Sequence, residues 1–340
     1  TFFEHVLRAT RADPVSQLRL DPLKGRWSVI SAERSERPFA FQPRRLPVEG
    51  DMRPCPFCPS GGQDDLPPTL ELGGAAGWEV RVVPNRYPAF EGTSPMAVTN
   101  LGPVFTQAPG SGFHEVLLLG PEHDRSWADL DDHRSGLVMQ AVAERMNAHS
   151  VLPGLRYSQA IVNSGREAGA SLEHPHGQLM GIPFVPREIT DELAGFARFA
   201  GNCLLCTTLD AEESAGNRVV HADDDVLVVC PYWSGTPFEM LVLPRNHGAH
   251  LGRASPGDLA AVGRALQRGL AALHAKLGDV AYNIIFHSAP YRAAGDFHWH
   301  AHVLPKATTS DGFELGTGVI INVVPPEDAA GSLRDASCVA

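Results

Sequence analysis

The sequence predicts an α+β fold built as a tandem duplication, each copy an antiparallel sheet with a long helix packed on it. Three observations carry this expectation. Four of the six cysteines form two Cys-x-x-Cys pairs, Cys55/Cys58 and Cys203/Cys206, and each pair is followed by histidines: His123 and His174, then His247 and His298. The interval between the histidines is 174 − 123 = 51 in the first half and 298 − 247 = 51 in the second. The hydrophobic pattern between them also runs in the same order twice. So long a period indicates a duplicated domain rather than a solenoid.

The elements follow in order. Asp21-Pro22-Leu23-Lys24-Gly25-Arg26-Trp27 reads as a turn leading into the strand Ser28-Val29-Ile30. In the first copy the apolar run Val116–Leu119 precedes His123 after a short turn. A helix is expected from about Asp131 to His149, then a strand at Ala160-Ile161-Val162 and a histidine strand from His174. In the second copy Met240–Leu243 precede His247. The helix spans Pro256 to Leu277, where Leu259, Val262, Leu266, Leu270 and Leu273 recur at three- and four-residue steps. The strand Asn283-Ile284-Ile285 and the run His298-Trp299-His300-Ala301-His302 complete it. Asn163 precedes His174 by 174 − 163 = 11, and His287 precedes His298 by 298 − 287 = 11. The boundary is expected in the helical stretch Arg187 to Ala200, which gives modules at 1–190 and 191–340. Cys230, in an apolar run, is expected as a buried strand residue, and Cys338 has no chemical role.

The 340 residues are 43% hydrophobic and 20% charged, as in a soluble globular enzyme. Net charge is 28 − 39 = −11, which argues against a general nucleic-acid or anionic-membrane binder. An anionic substrate would be held by local cations, helix termini or backbone amides. No apolar run approaches the ~20 residues of a membrane span. Thr1-Phe2-Phe3-Glu4-His5 lacks the pattern of a secretion signal, so a cytoplasmic location is expected.

Cysteine pairs in such a chain point to metal before disulfides. Arg53-Pro54-Cys55-Pro56-Phe57-Cys58-Pro59 is a tight knuckle, and zinc in structural sites takes four tetrahedral nitrogen or sulfur ligands. Cys55, Cys58, His123 and His174 make one Cys2His2 set; two free buried thiols are the alternative. By the duplication, Cys203, Cys206, His247 and His298 make another.

The chemistry concentrates in Asn163-Ser164-Gly165-Arg166-Glu167-Ala168-Gly169-Ala170-Ser171-Leu172-Glu173-His174-Pro175-His176-Gly177-Gln178. In an extended strand His174, His176 and Gln178 point the same way. Small residues before them let the backbone approach a bulky anion, and Ser171 adds a hydroxyl donor. Neutral imidazole is a competent nucleophile toward phosphorus. This pattern, Asn-x-Gly-x-x-x-Gly-x-Ser-x-x-His-Pro-His-x-Gln, resembles the galactose-1-phosphate uridylyltransferase family of the histidine-triad superfamily, and the resemblance extends from Leu20 to the tail.

The resemblance implies two histidine-triad modules side by side and zinc at the first Cys2His2 set. It implies His176 as the nucleophile and Gln178 as its partner, with Asn163, Gly169 and Ser171 contacting substrate. Arg34 and Arg37, three apart, resemble the arginines that approach substrate phosphates, although two surface arginines are the bland alternative. Asn85, in Val82-Val83-Pro84-Asn85-Arg86-Tyr87-Pro88, resembles a nucleoside contact. Phe313 and Thr317 lie in a tail that resembles the plant ADP-glucose phosphorylases, and the lysine-containing sugar segment of better-known uridylyltransferases is not recognisable. Those uridylyltransferases place iron on a glutamate and three histidines, here Glu192, His287, His300 and His302. This scheme shares no ligand with the second cysteine set, which the plant enzymes resemble and which the repeat register favours.

The expected activity is exchange of UMP between UDP-glucose and galactose 1-phosphate through a uridylyl-histidine, with a homodimer implied by the resemblance. ADP-glucose phosphorylase, with phosphate or sulfate as acceptor, keeps the chemistry and changes the partners. A non-catalytic nucleotide-binding zinc module is the alternative from another class. The second copy lacks the Gly-x-Ser loop, so catalysis is expected in the first.

Overall fold

The computed structural model describes residues 16–36, 55–58, 67–75, 77–94, 96–293 and 295–337. Ten strands form one sheet. Numbered in chain order, the first copy supplies β1 (Leu70–Gly74), β2 (Gly77–Pro84), β3 (Phe113–Leu118), β4 (Tyr157–Ser164) and β5 (His176–Ile182). The second supplies β6 (Val219–Ala222), β7 (Val226–Val229), β8 (Met240–Pro244), β9 (Tyr282–His287) and β10 (His300–Pro305). Across the sheet the order is β1-β2-β3-β5-β4-β9-β10-β8-β7-β6, with every neighbouring pair antiparallel. The two halves repeat one topology about a pseudo-dyad between β4 and β9. There Ile161 pairs with Ile285, and each lies thirteen residues before the first histidine of its copy's His-x-His pair (174 − 161 and 298 − 285). Each histidine strand starts later than the sequence pattern implies, at His176 and at His300. His174 and His298 stand just before, in the connecting turns.

Helices α1 (Asp132–Ser150) and α4 (Pro256–Leu277) pack side by side on one face of the sheet. Their N-caps are equivalent, since 255 − 131 equals 298 − 174. Asp131 accepts the Arg134 N–H, and Ser255 accepts that of Asp258 and is followed by Pro256. The helices cross closely at Gly263, where an added Cβ would lie 2.5 Å from the Ser135 carbonyl oxygen. Val138, Met139, Val142, Val262, Leu266 and Leu270 join Leu117, Val162, Leu179 and Val242 in a single core shared by both copies. Cys230 is buried in it as expected, but stands one residue past the end of the strand Val226–Val229. Burial of this kind stabilises by about 25 cal/mol per Å² of apolar surface, and a core continuous across the dyad ties the halves into one unit.

The opposite face is treated differently in each half. In the second copy α2 (Arg187–Arg198) and α3 (Leu204–Ala215) cover it, and Phe196, Leu204, Leu205 and Leu209 pack on Leu227, Leu241, Leu243 and Phe297. The N-terminal turn lies against α2 so closely that a Cβ on Gly195 would sit 2.0 Å from the Leu23 carbonyl oxygen. The corresponding face of the first copy carries His114, Asn163, His176 and Gln178. Beside the main sheet, Gln17–Leu20 and Trp27–Ile30 pair antiparallel, and Ile320–Asn322 from the tail adds in parallel to the latter. The tail also contains α5 (Gly312–Thr317) and α6 (Pro326–Ser337).

Candidate active site and metal centres

His176 opens β5 and is buried. Its Nδ1–H donates to the carbonyl oxygen of His174, 2.7 Å away, which fixes the tautomer and leaves Nε2 with its lone pair. Burial depresses the His176 pKa, so the ring stays neutral further into acid than a free imidazole. The acceptor that orients the His176 ring is therefore a backbone carbonyl, and it belongs to a metal-ligand candidate. Phe57, between the first two cysteines, sets its ring 5.2 Å from that of His176.

The loop before the strand is shaped by two glycines in the left-handed region. Gly165 at φ 85° and Gly169 at φ 90° flank a short 3-10 turn at Arg166–Ala168. The loop is held from the second copy. Asn283 on β9 donates from Nδ2 to the Asn163 side-chain oxygen (2.7 Å) and to the Ala168 carbonyl (2.8 Å). Asn163, with its oxygen so engaged, turns its NH2 elsewhere and lines a cavity of about 780 Å³ together with Ser164, Gly165, Glu173 and His176. Gly169 and Ser171 are exposed on the loop.

Gln178, two residues after His176, places its carbonyl oxygen 2.9 Å from Nε2 of His114 on β3. Asn85 stands beside it, its amide nitrogen 3.1 Å from the same Nε2 and its oxygen accepting the Tyr87 N–H. The structure thus brings Asn85, Asn163, His176 and Gln178 to one face. It does not bring the other substrate candidates there within the single chain. Arg34 sits in the 3-10 turn Ala32–Glu36, and Phe313 and Thr317 are exposed on α5. Among the described residues, no hydrogen bond, ion pair or ring contact joins these three to His176, and the Thr317 hydroxyl donates to the Phe313 carbonyl instead. Arg37 lies outside the described residues.

The first metal candidate is assembled from the knuckle, the turn after β3 and the turn before β5. Cys58 Sγ is 3.3 Å from His123 Nδ1 and 3.6 Å from His174 Nδ1. The second repeats it, with Cys206 Sγ 3.5 Å from Nδ1 of both His247 and His298, and Cys203 Sγ 3.8 Å from His298. A tetrahedral zinc about 2.3 Å from sulfur and about 2 Å from nitrogen sets those ligands about 3.5 Å apart. Both sets fit. In each, the buried histidine donates Nε2–H to a carbonyl (Gly120 at 3.0 Å, Pro244 at 2.9 Å), so Nδ1 faces the sulfurs unprotonated. Burial, reinforced by His247, holds the His298 pKa down to about 4, and burial lowers that of His174 as well.

Glu192, His287, His300 and His302 also converge, all buried, with candidate ligand atoms within 4.8 Å of one another. Glu192 reaches down from α2 to His287 Nδ1 at 2.8 Å, and its second oxygen is 3.8 Å from His300 Nε2. Lys24 lies 3.6 Å from the same carboxylate. Burial opposes ionisation of Glu192, but the charges of His287 and Lys24 overcome it and hold its pKa low. Among the described residues, one Glu192 oxygen and the Nε2 atoms of His300 and His302 have no hydrogen-bond partner, which suits a cation with nitrogen and oxygen ligands. The two sets that the sequence offers as rivals for one metal are therefore both preassembled.

Sequence reasoning missed His114, Asn283 and Phe57. His114 and Asn283 face the site only through strand pairings that the residue spacing does not reveal. Phe57 could have been found, because a ring inside the cysteine knuckle must lie beside whatever the knuckle anchors.

Known proteins agree with this geometry. Residues 6–186 match the family model described as galactose-1-phosphate uridyl transferase, N-terminal domain, and residues 190–316 match its C-terminal domain. The chain is 30% identical over 337 residues to an ADP-glucose phosphorylase of Arabidopsis thaliana, covering 94% of this chain and 93% of that protein. It is 26% identical over 331 residues to a galactose-1-phosphate uridylyltransferase of Thermotoga maritima, covering 94% and 98%. Among solved structures, the Arabidopsis phosphorylase with bound ADP-glucose superposes with a TM-score of 0.79 at 28% identity, covering 94% of this chain and 99% of that one. A uridylyltransferase structure gives 0.74 at 26%, covering 96% and 99%. With both domain models matched in order and the His-Pro-His-Gly-Gln strand poised as described, the chain belongs to the galactose-1-phosphate uridylyltransferase family of nucleotidyltransferases.

Proposed function

We propose that the chain exchanges UMP between UDP-glucose and galactose 1-phosphate, with His176 as the covalent carrier. The observation that carries the reading is the 2.7 Å hydrogen bond from His176 Nδ1 to the His174 carbonyl, which leaves Nε2 as a neutral nucleophile. Nε2 attacks the α-phosphorus, an N–P bond forms, and the P–O bond to the β-phosphate breaks with its electron pair leaving on glucose 1-phosphate. No proton has to move, because Nδ1 keeps its own and the positive charge appearing on the ring strengthens its bond to the carbonyl. A phosphate oxygen of galactose 1-phosphate then attacks the same phosphorus and releases Nε2. Gln178, Asn163 and the loop amides act on the transferred phosphate, and Asn85 on the nucleoside.

Zinc held by Cys55, Cys58, His123 and His174 would anchor the turn whose carbonyl orients His176, and a second zinc would sit on Cys203, Cys206, His247 and His298. The same reading assigns 1–190 as the catalytic module and 191–340 as its partner. It makes the protein a homodimer whose Phe313/Thr317 segment serves the neighbouring site, in keeping with the absence, among the described residues, of any bond or ring contact from Phe313 or Thr317 to His176.

A second reading is ADP-glucose phosphorolysis. It is favoured by the near full-length relative of that activity and by the second cysteine set. The test is labelling of the protein by UDP-glucose and ADP-glucose carrying radioactive α-phosphate, followed by chase with galactose 1-phosphate, phosphate or sulfate. Labelling by UDP-glucose and discharge by galactose 1-phosphate support the first reading. Labelling only by ADP-glucose with discharge by phosphate replaces it with the second, and no labelling with either donor refutes both.

A further inference from the structure

We infer that His114 is a positioning residue, one that fixes which end of the Gln178 amide faces the transferred phosphate. The argument begins with a backbone donor. The Ala89 N–H lies 3.0 Å from His114 Nδ1, and an amide N–H can only donate, so Nδ1 carries the lone pair. In the neutral ring the proton is then on Nε2. That N–H faces Gln178 at 2.9 Å and can bond only to its oxygen. With the oxygen held toward β3, the Gln178 NH2 is the end left for a phosphate oxygen.

The third contact follows the same logic. The Asn85 oxygen accepts the Tyr87 N–H, so Asn85 turns its NH2 toward His114 Nε2 at 3.1 Å. Two N–H donors do not bond each other, and that contact holds no hydrogen bond. His114 therefore orients the Gln178 amide alone, and Asn85, held by the Tyr87 N–H, takes no part in that orientation. Strand pairing makes this arrangement rigid. Val116 pairs with Gln178 and His114 with Met180, so His114 and Gln178 are diagonal neighbours on one face. In the second copy Leu241 pairs with His302, and the residue two before it is Glu239, 3.6 Å from His302. A carboxylate there orients no amide, and the pair is present only in the copy that has the phosphate loop.

This inference rests on the reading of Gln178 as a donor to the transferred phosphate. Without His114 the amide is free to turn its oxygen to the phosphate, which repels it. The expected loss is about tenfold or more in the rate of nucleotidyl transfer, from one oriented hydrogen bond. The test is single-turnover labelling by nucleotide sugar in four proteins: wild type, His114→Phe, Gln178→Ala and the double variant. If His114 acts through Gln178, His114→Phe slows labelling in the wild-type background and adds nothing to Gln178→Ala. His114→Gln, which retains an amide donor, should recover much of the rate.

Equal slowing in both backgrounds would assign His114 a separate structural role and overturn the inference. So would wild-type labelling by His114→Phe. Absence of labelling in the wild type would instead refute the covalent reading on which it stands. Nitrogen NMR of the His114 ring needs no variant. The Nε2–H tautomer is expected near neutral pH, and an Nδ1–H tautomer would overturn the proposal.

Discussion

Replacing Asn283 with Asp changes one atom group in the second copy and should disable the loop of the first. The Asn283 NH2 makes two hydrogen bonds, 2.7 Å to the Asn163 oxygen and 2.8 Å to the Ala168 carbonyl. A carboxylate of the same shape puts an acceptor against two acceptors. Two lost bonds at about 0.5–1.5 kcal/mol each give about 1–3 kcal/mol, and the repulsion adds to this. At about 1.4 kcal/mol per tenfold, a decrease of about 5-fold to 150-fold is expected in nucleotidyl transfer if the strain falls on the reactive loop geometry. Asn283 belongs to neither Cys2His2 set, so zinc content should not change. The assay is single-turnover labelling by nucleotide sugar, with the melting temperature measured on the same preparation. Asn283→Ala should fall between wild type and Asp, because it removes the bonds without the repulsion. Wild-type labelling by Asn283→Asp would refute the idea that β9 supports the catalytic loop.

Other perturbations test separate parts of the site. His176→Asn should abolish labelling while circular dichroism and zinc content stay at wild-type values, and substantial turnover would remove His176 as carrier. Cys203→Ser should lose about one zinc per chain by elemental analysis and lower the melting temperature, since metal binding to a folded site contributes directly to stability. Unchanged zinc would locate the second metal elsewhere. Glu115 bonds Arg145 at 2.7 and 3.0 Å. Burial opposes its ionisation, but His149 and Arg145 outweigh this and hold its pKa at about 2, below the ordinary 4.5. A depressed carboxylate contributes stability above pH 4.5 that is lost as pH falls toward 2. Glu115→Gln should cost about 3 kcal/mol at neutral pH in urea titrations, the low end for a broken buried pair because Arg145 can reach solvent. It should also flatten the acid limb between those pH values, and an unchanged acid limb would contradict the assignment.

The duplication was legible because a structural metal site constrains spacing strictly. Two cysteines on a turn and two histidines at equal intervals leave few ways to reconcile the halves except by repetition. The helix Pro256–Leu277 was legible to the residue, since its apolar steps, its proline and the glycine after it all agree. What could not be read was the join. Equal spacings say that two modules exist, but not that β4 pairs with β9 in a continuous sheet, and that pairing alone brings Asn283 to Asn163 and the Ala168 turn. His114 was hidden for a related reason, because its partners lie in a neighbouring strand and in the turn at Ala89. Arg34, Phe313 and Thr317 were suggested by resemblance to segments, and within the single chain those segments gather around the small parallel strand pair, apart from His176.

The asymmetry between the copies follows from what covers the sheet. His176 and His300 have the same local chemistry: each opens its strand, and each donates Nδ1–H to the carbonyl of the histidine two before it, at 2.7 and 2.8 Å. A nucleophile's geometry is thus present twice. Over His300, however, α2 closes down through Phe196, packed 4.9 Å from Phe297, and Glu192 occupies the space a phosphate would need, with its oxygen 3.8 Å from Nε2. The ring is fully buried, and burial drives its pKa far below the usual value. A carboxylate at that point repels an anion and attracts a cation, so the surroundings of His300 suit a metal better than a phosphate. Covering the face buries Leu204, Leu205 and Leu209 and adds a second apolar layer to the fold. In the first copy the same face carries Asn163, His176 and Gln178 beside Val83, Val116, Leu118 and Phe57. His300 thus differs from His176 through α2 and Glu192 lying over it more than through its own hydrogen bond.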